Sequence, residues 1–144
     1  MEKQGYKRKR FEEKSVETKI SYLLDTCILV DFLRGNKSIY DILVGNKDVN
    51  LSISTITMME LVLGAFNKKE VLYIQKAFSN INIVYINEEI SKLGQKLLIN
   101  YNKSHNLLID DALIAATSLV TKLELMTYNK ADFQYIPNIK LYKF

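Results

Sequence analysis

Apolar positions along the chain alternate between short continuous runs and longer stretches with helical spacing, and this alternation predicts an α/β domain built on a mostly parallel sheet. The run Ile20-Ser21-Tyr22-Leu23-Leu24 predicts a first strand, followed by a helix over 26–33 that stops near Gly35-Asn36. A helix over 38–44, a strand over 50–53 and a helix over 55–66 come next. Val71, Leu72, Ile74 and Phe78 recur at helical spacing and predict a helix over 69–78. Ile81, Ile83, Val84 and Tyr85 are strand formers, so a third strand is expected over 81–85. Ile90, Leu93, Leu97 and Leu98 share one face of a helix over 88–101. Asp110 or Asp111 opens a further helix to about residue 122, before a fourth strand over 124–127 and a short fifth over 139–142. The expected architecture is a three-layer α/β/α fold with a central sheet of four to five strands.

Length and composition narrow this to one domain. With 144 residues, 48% of them hydrophobic, the chain can bury a substantial core without a second domain. Residues 1–19 differ from the rest, with seven basic and four acidic side chains ahead of a nearly neutral body. They read as a basic N-terminal extension, with the domain itself over 20–144. Such an arm is ordinarily a solvated tail, and its charge also favours encounter with nucleic acid. Cys27 is the only cysteine and His105 the only histidine, which excludes an intramolecular disulfide and a Cys/His zinc cluster. A reducing, cytoplasmic setting is expected. Asp25 and Asp31 break the apolar stretch that follows Lys7-Arg8-Lys9-Arg10, so it makes neither a signal core nor a membrane span.

Against this background four acidic residues stand out. Asp25 closes the first strand, Glu60 interrupts Met58-Met59-Glu60-Leu61-Val62, Asp111 opens Asp111-Ala112-Leu113-Ile114-Ala115-Ala116, and Asp132 lies in a polar turn before Phe133. Carboxylates at the edge of a core are costly unless a cation meets them. In an open parallel sheet the ligand site lies at the carboxyl ends of the strands. Asp25 occupies that end of the first strand, and Asn129 and Asp132 follow the fourth. Each acid also has a simpler reading: Asp25, Asp110 and Asp111 as helix caps, Glu60 as part of a capping box with Thr57, Asp132 as a turn residue. Ser54 and Thr55 sit closer to the expected helix start, which leaves Glu60 about one turn inside. Gathered together, the four would repel one another unless a divalent cation, Mg²⁺ or Mn²⁺, neutralised them.

Other chemistries lack support. His105 reads as a loop residue, Cys27 as a small buried hydrophobe, and Asp31 as exposed or as a support for a neighbour. No nucleophile elbow, phosphate loop or dinucleotide fingerprint is present. A haloacid-dehalogenase-type phosphatase would want a second Asp two residues after Asp25, where Cys27 stands. Tyr and Phe are scattered and read mostly as core. Arg34, Lys37 and Lys103 are candidates to steer an anionic substrate.

Four motifs in order carry a resemblance: Tyr22-Leu23-Leu24-Asp25-Thr26-Cys27, Ile53-Ser54-Thr55-Ile56-Thr57-Met58-Met59-Glu60-Leu61, Asp111-Ala112-Leu113-Ile114-Ala115-Ala116, and Leu125-Met126-Thr127-Tyr128-Asn129-Lys130-Ala131-Asp132. From about residue 20 onward the chain resembles a PIN domain, and more narrowly the VapC type of ribonuclease toxin. The resemblance implies a metal-dependent endoribonuclease with Asp25, Glu60 and Asp111 as central acids and Asp132 as a fourth. It places Thr127 and Asn129 as supporting polar groups, Mg²⁺ or Mn²⁺ as cofactor, RNA as substrate, and a cognate antitoxin and a second copy as protein partners. Two alternatives are a PIN nuclease of RNA processing without an antitoxin, and an inactive scaffold that binds RNA or protein. The basic residues 1–19 depart from the usual pattern, in which the first strand lies almost at the N-terminus.

Overall fold

The computed structural model describes residues 20–45 and 48–144, so the basic extension lies outside the described residues. Four parallel strands, β1 (Ile20–Leu24), β2 (Val49–Ser54), β3 (Asn82–Val84) and β4 (Glu124–Met126), form one sheet in the order β3-β2-β1-β4. Between them run α1 (Thr26–Leu33), α2 (Lys37–Leu43), α3 (Thr55–Gly64), α4 (Lys68–Ala77), α5 (Glu88–His105) and α6 (Ile109–Thr121). A 3₁₀ turn, Lys130–Asp132, follows β4.

The period-2 geometry of a strand sorts the core into two halves. Leu23 and Leu125 pack with Ile90, Leu97, Ile114 and Ala115 of α5 and α6. Their neighbours Leu24 and Met126, with Ile53, pack with Ile28, Leu61 and Ile74 from α1, α3 and α4. Both faces of the sheet are therefore buried, which explains why the strands read as apolar runs. Gly94 lets α5 close on α6, since a Cβ there would lie 2.8 Å from Leu113 Cδ2.

Helix starts are marked by side chains that satisfy otherwise orphaned amides. Asn36 accepts from Ile39 N, Ser54 from Ile56 N, Asn67 from Glu70 N and Asn87 from Ile90 N. The expected fifth strand is reduced to a single bridge. Over 139–142 only Leu141 bridges to Leu125, with Leu125 N donating to Lys140 O and Tyr142 N to Leu125 O, both at 2.8 Å. Pairing cannot extend because β4 is itself three residues long and Asn138, at φ 67, turns the chain immediately before. No helix among the described residues is long and apolar enough to cross a membrane.

Candidate active site

Parallel strands end together, and the loops that leave them build the site. Asp25 leaves β1 as the N-cap of α1 and is buried, 6% exposed. Its Oδ1 accepts from Thr26 N at 2.8 Å, so the capping role and the site role belong to one side chain. Its Oδ2 accepts from the Thr127 hydroxyl at 2.7 Å, delivered from the end of β4. Asn129 N donates to that same hydroxyl oxygen at 3.0 Å, fixing the loop beneath it. Cys27 Sγ lies 3.7 Å from both Asp25 Oδ2 and Thr127 Oγ1. The thiol is thus half-buried in the wall of the site, rather than sealed in the core as its apolar neighbours predict.

Glu60 reaches the same crevice from inside α3, because Ser54 and not Thr57 caps that helix. The Thr26 hydroxyl donates to its Oε1 at 3.0 Å. Burial pushes its carboxyl above the ordinary range, opposed by the Thr26 hydrogen bond, with Asp110 and Asp25 adding repulsion. Asp110 and Asp111 lie in the first turn of α6, whose N-cap is Leu108 without a side-chain cap bond. Neither aspartate is therefore the cap the sequence predicts. Instead Asp110 Oδ1 accepts from Asp111 N at 2.9 Å, and both face the crevice, where the helix's unpaired amides favour negative charge. Burial raises the Asp111 pKa from 3.8 to about 7, reinforced by Asp110, Asp25, Asp132 and Glu60.

The cleft holds about 580 Å³, walled by Asp25, Asp31, Glu60, Asp110 and Asp111 with Arg34 as the basic group among them. Asp132 stands outside the wall, exposed in the 3₁₀ turn, yet close enough to act on Asp111. Asn129 lines the cleft. Asp31 supports neighbours: its Oδ2 accepts from Asn36 Nδ2 at 2.8 Å and from the Tyr128 hydroxyl at 2.6 Å. Burial, and then that bond, push the Tyr128 phenol up. Of the three candidate steering cations, Arg34 reaches the cleft, Lys37 opens α2, and Lys103 lies beside Ile99 and Leu107 on another surface. His105 is the exposed last residue of α5, not a loop residue, and its ring stacks on Tyr135 at 4.1 Å.

Sequence reasoning missed Asp110, Thr26 and Tyr128 as cleft residues. The doubled aspartate was visible. The contributions of Thr26 and Tyr128 depend on packing between distant segments and leave no sequence signal.

The donor set suits a hard divalent cation. Among the described residues no ion pair involves the cleft carboxylates; Lys92 and Glu88 pair at 2.8 Å on the surface of α5. The Tyr135 hydroxyl is buried without a hydrogen-bond partner, and after burial itself Asp111 and Asp132 are what raise its pKa. Among the described residues no three His, Cys, Asp or Glu side chains form a ready-made metal cage. Mg²⁺ does not require one, since it keeps much of its water and takes few carboxylates.

An α/β domain with a carboxylate cleft at the carboxyl ends of parallel strands is the class that fold and site define. Residues 22–138 match the PIN domain family, and the chain belongs to it. Ribonuclease VapC19 of Mycobacterium tuberculosis is 31% identical over 121 residues, covering 82% of this chain and 96% of that protein. A chain in a toxin-antitoxin complex from Klebsiella pneumoniae is 31% identical with a TM-score of 0.69, over 85% of this chain and 99% of its own. A chain of VapBC2 from Rickettsia felis, solved bound to a DNA fragment from its promoter, is 25% identical with a TM-score of 0.74, over 87% and 99%.

Proposed function

We infer that this protein is a Mg²⁺- or Mn²⁺-dependent endoribonuclease, the toxin of a VapBC-type pair acting in the cytoplasm. One observation carries the metal requirement: Asp111 and Glu60 are driven toward protonation in a cleft walled by five acids, none of them ion-paired among the described residues. The likeness to ribonuclease VapC19 supplies the substrate class.

Asp25 and Asp111 would hold the ion, which supplies Lewis-acid stabilisation of phosphoryl oxygens and lowers the pKa of water. Thr127 and Thr26 N fix both oxygens of Asp25, so its carboxylate is oriented before substrate arrives. Glu60, steered by Thr26, orients the attacking water and accepts its proton. Asp132, on the rim, would support the bound ion through its charge beside Asp111. Cleavage of a mixed RNA pool by purified protein, with Mg²⁺ or Mn²⁺, with EDTA and with Asp25→Ala, tests this directly. Metal-dependent cutting lost in the variant is expected. Cutting in EDTA, or undiminished cutting by the variant, would overturn it.

A groove of about 450 Å³ continues from the cleft between α1, α3 and α4, sharing Thr26, Val30, Arg34 and Glu60 with it. Leu63, near the end of α3, and Phe66, just beyond it, are 88% and 90% exposed. An antitoxin helix could lay apolar side chains in this groove and send a guanidinium among the carboxylates. Separately, Ile99, Leu108 and Ile109 expose apolar surface on α5 and α6, which fits pairing with a second copy.

A further inference from the structure

Aromatic side chains beside the acidic cleft form a continuous strip that the sequence pattern assigns to the core. Tyr22 meets Tyr142 edge-on at 5.3 Å, Tyr142 meets Phe144 at 4.9 Å, and Phe144 lies 5.1 Å from Tyr128 at a tilt of 35°. The inner end is anchored, because Tyr142 N donates to Leu125 O beside the Leu141 bridge. The outer end is open: Tyr128 is 44% exposed and Phe144 55%. Tyr128 is also a wall of the cleft, with its hydroxyl tethered to Asp31 at 2.6 Å. Lys130 Nζ stands 5.8 Å from the centre of the Phe144 ring.

Two half-exposed rings, held in place from behind, with an ammonium beside them and a phosphodiester-cleaving cleft in front, match what a single-stranded nucleic acid needs. Bases stack on aromatic faces while a cation meets the adjoining phosphate. We propose that Tyr128 and Phe144 form a stacking platform for a base flanking the scissile phosphate, with Lys130 facing the neighbouring phosphate. The platform presupposes the ribonuclease function inferred above and adds a subsite to it. It favours unpaired RNA, since a base within a duplex presents no free face.

The test uses short single-stranded oligoribonucleotides carrying a fluorescent adenine analogue at successive positions. Wild-type protein is expected to quench the analogue at one position next to the cut. Phe144→Leu should remove that quenching and raise KM by about tenfold, the scale of one lost base stack, with a much smaller change in kcat. Phe144→Trp should restore both, which a merely structural role for Phe144 would not do. Tyr128→Phe, which keeps the ring and loses the Asp31 bond, should retain quenching. Metal-dependent cleavage with the same KM in Phe144→Leu and no position-specific quenching would overturn the platform while leaving the ribonuclease intact. Absence of metal-dependent cleavage by every form would overturn both.

Discussion

At the scale of residues, the cleft is a set of carboxylates kept apart in role by their hydrogen bonds. Asp25 is tied down by Thr26 N and the Thr127 hydroxyl, so Thr127→Val should lower kcat severalfold or more, and Thr127→Ser should retain most of it. Steady-state cleavage at saturating Mn²⁺ checks this. Asp111 carries a different consequence. Its pKa is raised from 3.8 to about 7 in the folded state, so between those values the folded protein binds more protons than the unfolded chain. This group's contribution to stability therefore falls as pH rises through that window. In EDTA, Asp111→Asn should flatten the pH dependence of Tm and melt above wild type beyond pH 7, while abolishing cleavage. Mg²⁺ or Mn²⁺ should raise the wild-type Tm at that pH and leave the variant's nearly unchanged. Thermal melts with and without metal read both effects. Asp25, Glu60 and Asp111 were legible because an acid amid apolar neighbours is conspicuous. The bonds from Thr26 and Thr127 were not, because they join segments far apart in the chain.

At the scale of elements, the helix starts explain why so much of the fold could be read. Asn36, Ser54, Asn67 and Asn87 each cap a helix where the apolar period changes, so pattern and capping chemistry agree. Ser54 has a second duty: by ending β2 and capping α3 it sets the helical phase that brings Glu60 to the cleft. Ser54→Ala should cost about 1 kcal/mol of stability, measurable in urea unfolding, and lower kcat more than that loss alone implies. The strand expected over 139–142 failed for a reason no local pattern holds. Leu141 finds a partner in Leu125, but β4 offers too short an edge for a ladder. The capping reading of Asp110-Asp111 fails, since Leu108 takes the N-cap position and Asp110 joins Asp111 in the cleft.

At the scale of the molecule, the sheet order β3-β2-β1-β4 puts the first strand in the middle, next to the last. The exposed apolar surface of Ile99, Leu108 and Ile109 lies outside this arrangement and should hold two copies together; Ile109→Lys should shift the mass in light scattering from dimer toward monomer. The link between β1 and β4 has another outcome. Asp25 receives the Thr127 hydroxyl from 102 residues further along the chain, and Asp111 too arrives only with the second half. A nascent chain that has not yet reached Thr127 therefore has its first acid but no assembled cleft. Competence to cut waits for β4 to pair with β1, so a copy whose synthesis stops before that strand lacks the hydroxyl that orients Asp25.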